Sequence, residues 1–298
     1  MRVHSLAIII NPRSGSAGRD AGRDRASRAS AFLAANGGGP SSISLTERPG
    51  HARELASAAV ARGVSTVVAW GGDGTMNEVA SAVAFTDTAL ALVPGGSGNG
   101  LARELKIPFR PESALAVACG SREIVIDAGQ VDGRYFFNVA GVGLDARVAR
   151  RFTTDSHGRR GLARYASLTM REFWNAAPEE LTIATTSASI TKSVLLVAIA
   201  NGRQYGNGAL IAPSARLDDG RLDVVIYEQR SAVRACLELP LLFTGLVEAL
   251  PGVVTQRVEA VDLVARHPLL FHVDGEPVAA GSRLAARVRP RALRVKIP

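Results

Sequence analysis

Lysine and cysteine are scarce in this chain of 298 residues, and long apolar runs are missing altogether. Two cysteines, Cys119 and Cys236, both set in apolar stretches, are too few for a disulfide framework, so a reducing compartment is expected. No run approaches the roughly 20 apolar residues that a spanning helix needs. The longest apolar region, residues 237–254, is broken by Glu238, Pro240, Glu248 and Pro251. The short apolar stretch near Met1 has no small-residue cleavage site after it and reads as mature protein rather than a signal peptide. His4, His51, His157, His267 and His272 lack the spacing of a zinc site. No Gly-Lys-Ser/Thr follows any glycine-rich segment, which excludes a P-loop, and no Gly-x-Gly-x-x-Gly stands in strand–helix context. There is no internal repeat.

Positive charge is plentiful. The formal net charge is +8 and lysine stands only at 106, 192 and 296, so the basic residues are almost all arginine. Coding bias explains much of such an excess, but its distribution is uneven. Arg147, Arg150, Arg151, Arg159, Arg160, Arg164 and Arg171 share one stretch with Phe152, Tyr165, Phe173 and Trp174. That mixture suits nucleic acid or an anionic membrane surface, or is an ordinary solvated helical face. No nucleic-acid-binding motif accompanies it, so nucleic acid is not expected as a partner.

Three apolar runs end in turns rich in Gly, Ser and Asn. Residues 6–10 run into Asn11-Pro12-Arg13-Ser14-Gly15. Residues 67–70 run into Gly71-Gly72-Asp73-Gly74-Thr75-Met76-Asn77-Glu78. Residues 89–94 run into Gly95-Gly96-Ser97-Gly98-Asn99-Gly100. The pattern predicts three strand ends at one edge of a parallel sheet, where α/β folds bind ligands. Unpaired N–H groups and a helix N-terminus suit a phosphate there. Asp73 cannot bind phosphate itself. It is expected to act through Mg²⁺ or to accept a hydrogen bond from a hydroxyl. Asn99 and Arg103, beyond the third strand end, are candidate phosphate ligands, with a solvated face as the plain alternative for Arg103.

These segments, together with Thr46, Leu101-Ala102-Arg103, residues 126–129, 137–145 and 218–223, and Val273-Asp274-Gly275-Glu276, resemble the diacylglycerol kinase catalytic-domain family over nearly the whole chain. The family also includes sphingosine and ceramide kinases and bacterial lipid kinases. The resemblance implies an ATP-dependent lipid kinase with Mg²⁺ and a lipid alcohol as acceptor. It makes Asn11, Pro12, Arg13, Ser14, Gly15, Thr46, Gly71, Gly72, Asp73, Gly74, Thr75, Asn77 and Glu78 nucleotide-binding, with Ser97 near the phosphates. A helix cap or turn is the plain alternative for Thr46. Some family members place a lysine after the first turn, where this chain has Ser16, with Arg19 nearby. The resemblance also makes Asp219, with the carbonyl oxygens of Arg216 and Arg221, a Mg²⁺ site. The plain reading of that acidic stretch is a surface hairpin turn, and Asp127 is a candidate neighbour.

Phosphoryl transfer to a hydroxyl needs a phosphate cradle, a metal and a base. Asp274, at a strand end beside Gly275, is the expected general base, with Glu276 as runner-up and Asp73 as a further catalytic candidate. Asp274-Gly275 also fits a type I′ hairpin turn, and the two readings are compatible.

The expected architecture is a doubly wound α/β N-terminal domain over residues 1–120, like that of phosphofructokinase and NAD kinase by resemblance. A β-rich, sandwich-like C-terminal domain over residues 121–290 follows, and the strand 291–298 is expected to return to the first. Strands are predicted at 124–126, 135–139, 193–200, 222–227 and 291–297. Helices are predicted at 52–62, 77–85, 144–152, 162–174 and 232–250. Residues 15–28 read as a loop or a helix start, and 37–40 as a linker. The expected location is cytoplasmic, peripheral at the inner membrane surface, with a homodimer left open. NAD kinase, which shares the Gly-Gly-Asp-Gly-Thr loop, is the competing enzyme, and a non-catalytic nucleotide or lipid sensor the competing class.

Overall fold

The computed structural model describes residues 5–15, 20–36, 41–154, 172, 179–186 and 188–298. The chain divides into two units, residues 1–126 with 291–298, and residues 127–290.

The first unit is built on parallel strands β1 (Leu6–Ile10), β2 (Ser41–Leu45), β3 (Thr66–Gly71) and β4 (Ala89–Pro94), in the order β2-β1-β3-β4. Val295, near the chain end, pairs in parallel with Leu90. Residues 6–10, 66–71 and 89–93 are buried throughout, as in a parallel sheet covered on both faces. Strand β2 is the polar edge, and Ser-Ser-Ile-Ser-Leu carries no apolar run to announce it. Helices α1 (Ala21–Ala35), α2 (His51–Ala61), α3 (Asp73–Val83), α4 (Gly100–Glu104) and α5 (Pro111–Cys119) complete the unit. Met76, Val79, Ala80 and Val83 are buried at helical spacing. Cys119, expected in apolar surroundings, is an exposed free thiol.

Helix α3 starts four residues before the expected Asn77. Only Gly72 separates it from β3. The Met76 N–H donates to the Gly72 carbonyl at 2.9 Å, and Asp73 in the first turn suits the positive helix end. The glycine-rich segment is therefore mostly helix rather than loop.

Strand β5 (Glu123–Val131) leads the chain into the second unit, and β17 (Arg283–Lys296) leads it back. Between them lie β6 (Arg134–Phe136), β7 (Val139–Gly143), α6 (Leu144–Thr154), β8 (Glu179–Thr185), β9 (Ser189–Ala200), β10 (Gln204–Gly206), β11 (Ala209–Leu210) and β12 (Leu222–Glu228). Helix α7 (Ala232–Glu238) and strands β13 (Val253–Val258), β14 (Ala260–Ala265), β15 (Leu270–Val273) and β16 (Glu276–Ala279) follow. The long β9 serves two sets of partners. Residues 189–194 pair with β8, whereas 196–200 pair with both β7 and β12. The two groups of strands share a core that includes Phe136, Ile183, Val197, Val224, Leu263 and Phe271.

Two predicted elements are corrected. The single strand over 135–139 is broken at Phe137 and Asn138, because their N–H groups donate to the Asp274 carboxylate instead of a ladder. The predicted helix over 232–250 is α7 followed by 3-10 turns at Leu239–Phe243 and Val247–Ala249, with Pro240 in the first of them. The predicted helix 162–174 and the linker 37–40 lie outside the described residues, as do Ser16 and Arg19, Glu172 excepted.

Candidate functional site

In the first unit, the ends of β1, β3 and β4 do meet. The chain winds from β1 outward to β2 on one side and β3 continues on the other, so the first two turns flank the point where the strand order reverses. The Asn11 side chain bridges this point, its Nδ2 donating to Thr75 Oγ1 at 2.9 Å. The Asn11 N–H donates to the Trp70 carbonyl at 2.9 Å, and the Gly95 N–H to the Gly71 carbonyl at 2.8 Å.

The glycines exist for mutual approach of these turns. A Cβ on Gly96 would stand 2.5 Å from Gly72 Cα, and one on Gly15 2.6 Å from the Gly95 carbonyl oxygen. Gly72 itself has an extended φ of −95°, so its need for glycine comes from its neighbour and not from the turn.

Several predicted ligands prove to be engaged within the protein. Asp73 accepts the Asn99 N–H at 2.9 Å and the Gly100 N–H at 2.7 Å, so it pins the third turn to α3. Burial pushes its carboxyl above the usual range, against the pull of these N–H groups and of Arg103. Asn99, at φ 52°, closes its turn with Oδ1 and Nδ2 on the Gly96 backbone at 2.9 and 2.7 Å. Glu78 faces away from such chemistry: its two oxygens accept the Gly50 and Ala52 N–H groups at the start of α2, at 2.9 and 3.0 Å. Thr46 caps no helix, since Gly50 precedes α2, and its N–H donates to the Ile10 carbonyl at 2.8 Å.

Other predicted ligands keep free groups. Arg103 is half-buried, not on a solvated face. Its Nε donates to the Gly98 carbonyl at 3.0 Å, and its guanidinium lies 4.6 Å over the Phe109 ring. The terminal amines remain for an anion. The N–H groups of Gly74 and Thr75 stand in the first turn of α3, where no helical carbonyl precedes them. Ser97 is half-buried in the third turn.

Arg25 was not legible as a site residue. From α1 its Nη1 donates to the Asn11 carbonyl at 2.6 Å and to Ser14 Oγ at 2.7 Å, and its Nη2 to the Ser14 carbonyl at 2.9 Å. Burial lowers its pKa. Nothing in the charge-alternating stretch 20–28 distinguishes it from its neighbours.

In the second unit, Asp274 and Gly275 form the turn between β15 and β16, with φ of 46° and 86°, as a type I′ turn requires. Asp274 is buried. Its Oδ2 accepts the Phe137 N–H at 2.9 Å, and its Oδ1 the Asn138 and Val139 N–H groups at 2.9 and 3.1 Å. Glu276, two residues on, is exposed. Behind the turn stands a buried group that the histidine spacing gave no reason to expect. His272 Nε2 lies 3.2 Å from Asp145 Oδ2, which also accepts the Tyr205 hydroxyl at 2.6 Å.

Asp219 is half-buried in its turn. Its Oδ1 accepts the Arg221 N–H at 3.0 Å and its Oδ2 lies 3.8 Å from Arg257 Nε. Buried Asp127 holds the same turn by accepting the Gly220 N–H at 2.7 Å. Among the described residues no group of three or more His, Cys, Asp or Glu side chains is placed to hold a metal, so any Mg²⁺ there would rely on one carboxylate with carbonyl oxygens.

Of the basic stretch, Arg147 is half-buried, Arg150 is exposed, and Arg151 Nε is 2.6 Å from Glu172. Arg159, Arg160, Arg164, Tyr165, Arg171, Phe173, Trp174 and the side chain of Phe152 lie outside the described part. Among the described residues no helix is long and apolar enough to cross a membrane.

Comparison with known proteins agrees with this arrangement. Residues 5–131 match the diacylglycerol kinase catalytic domain, and residues 138–297 the YegS C-terminal NAD kinase beta sandwich-like domain. A Pseudomonas aeruginosa protein named "Probable lipid kinase YegS-like" is 34% identical over 283 residues, 94% of this chain and 92% of that one. The solved structure of a diacylglycerol kinase from Bacillus anthracis str. Sterne superposes with a TM-score of 0.73 at 15% identity, over 100% of this chain and 98% of that one. An NAD kinase from Archaeoglobus fulgidus in complex with ATP reaches 0.52 at 10% identity, over 98% and 93%, and like the previous one speaks to the fold alone. With a family domain matched over more than half its length and a relative aligned almost end to end, the chain belongs to the YegS-like lipid kinases of the diacylglycerol kinase family.

Proposed function

We propose that this enzyme transfers the γ-phosphoryl group of ATP to the hydroxyl of a membrane lipid such as a diacylglycerol or a sphingoid base. The observation that carries the nucleotide half is the locked meeting of three turns at the strand ends of the first unit, with Arg103 and the first turn of α3 presenting unused N–H groups. Rigid donors aimed at phosphate oxygens are the main protein contribution to phosphoryl transfer. Asp73, Asn99 and Arg25 act by fixing that cradle.

Mg²⁺ fits the Asp219 turn as a hard cation among oxygens. The Asp219 carboxylate and the carbonyl oxygens of Arg216 and Arg221 would hold it, with waters completing the shell. Bound there, it would neutralise and order the acidic stretch 218–223.

For the proton acceptor, the geometry favours Glu276 over Asp274. Three of the roughly four acceptor positions of Asp274 are taken by backbone N–H groups, so it serves as the anchor of the turn. Glu276, the first residue after the turn, carries its carboxylate at the exposed surface. Glu276→Gln is expected to keep the melting temperature and lower kcat by about 10²–10⁴. Asp274→Asn is expected to lower the melting temperature as well, since an amide can accept through one atom only. If Asp274→Asn melts like wild type and loses all turnover while Glu276→Gln stays active, Asp274 is the base after all.

Incubation with labelled ATP and a total lipid extract, in parallel with NAD, tests the reaction. A labelled lipid phosphate is expected. Labelled NADP without any lipid product would replace this reading with NAD phosphorylation.

A further inference from the structure

His272 and Gly141 face each other across the pairing of β15 with β7. A Cβ on Gly141 would stand 1.9 Å from Asp145 Oδ2 and 2.9 Å from His272 Nε2, so the missing side chain makes room for the Asp145–His272 pair. All three side chains of the group have assigned work. Asp145 Oδ1 accepts the Ala146 N–H at 2.7 Å, and its Oδ2 takes the Tyr205 hydroxyl and His272 Nε2. His272 Nδ1 accepts the Gly275 N–H at 3.3 Å. An accepting Nδ1 places the proton on Nε2, where it is donated to Asp145, so the partners fix one neutral tautomer.

Gly275 lies between the two carboxylates of the turn. We propose that His272, oriented by Asp145 and Tyr205, is a positioning residue for phosphoryl transfer: it holds the Asp274–Gly275 peptide and so sets where Glu276 stands. This rests on the reading that the turn supplies the proton acceptor. Asp274 is held by its own side chain and by its N–H on the Val139 carbonyl at 2.9 Å. The Gly275 N–H, on the Glu276 side, is held by His272.

The test uses the full chain, amide exchange at Gly275 and steady-state kinetics with ATP and a lipid that wild type turns over. In His272→Asn the amide oxygen can stand where Nδ1 stood, whereas in His272→Gln the polar end lies farther out. His272→Gln and His272→Leu are expected to speed Gly275 exchange and lower kcat about 10- to 100-fold with little change in KM for ATP, the scale of a misplaced reacting group. His272→Asn is expected to recover both. Equal kcat in Asn, Gln and wild type, or loss of kcat that simply follows the melting temperature in all variants, overturns the proposal. If His272→Leu does not fold, the Asn and Gln pair decides alone. Wild type that phosphorylates no lipid, or Glu276→Gln and Asp274→Asn that both keep wild-type kcat, would instead refute the underlying reading of the site.

Discussion

Single atoms decide how the glycine turns of this kinase work. A Cβ on Gly72 would come within 3.2 Å of Gly96 Cα. Gly72→Val is therefore expected to lower stability by about 1–3 kcal/mol through overpacking and to weaken ATP binding with it. Melting and ATP titration of the purified variant check both. Weaker ATP binding at an unchanged melting temperature would mean that the side chain meets the nucleotide and not the neighbouring turn. Asp73 teaches a related lesson. Its position after two glycines is visible in the sequence, but its partners, the Asn99 and Gly100 N–H groups, come from a turn 26 and 27 residues away.

At the scale of elements, helices and turns are tied to each other by carboxylates that look like ligands in the sequence. Glu78 on α3 caps α2. Removing it as Glu78→Ala is expected to cost about 0.5–2 kcal/mol, the usual range for a lost N-terminal cap, while ATP affinity stays the same. A fall in affinity at constant stability would restore Glu78 to the nucleotide site. The Asp219 turn invites a different measurement. Mg²⁺ bound only by the folded protein raises the melting temperature by mass action, so wild type is expected to respond to Mg²⁺ without nucleotide and Asp219→Ala to lose that response. Equal shifts in both proteins would leave the segment a turn without metal. The break between β6 and β7 also has a distant carboxylate behind it. No propensity in Phe137-Asn138 predicts it, because its cause is the Asp274 carboxylate, more than 130 residues away in sequence.

For the whole molecule, charge is the relevant quantity. A net charge of +8 has the sign that an anionic bilayer attracts, and the acceptor proposed above is a membrane lipid. Each basic residue near such a surface contributes about 1 kcal/mol, fading within a Debye length. Arg150, Arg159 and Arg160 are the residues to reverse to Glu, leaving Arg151 to its ion pair with Glu172. Vesicle binding at low salt is expected to fall steeply while activity on a short-chain, water-soluble substrate holds. Undiminished vesicle binding, or parallel loss of both, would exclude this stretch as the docking face.

The sequence by itself determined the parallel sheet of the first unit, because strands buried on both faces must read as unbroken apolar runs, and residues 6–10, 67–70 and 89–93 do. It also announced the hairpin at Asp274-Gly275, since two successive positive φ angles favour this pair of residues. Its local patterns were silent on the edge strand β2, which buries too little to need an apolar pattern. Tertiary structure alone decided which polar residues are left for a ligand. Asn99, Glu78 and Asp274 bear the same groups whether they face a phosphate or a backbone N–H. Only the arrival of Gly96, the start of α2 and residues 137–139 commits them, just as only the space over Gly141 brings Asp145 to His272. Buried polar atoms must find partners wherever the fold supplies them, and those partners are distant in sequence.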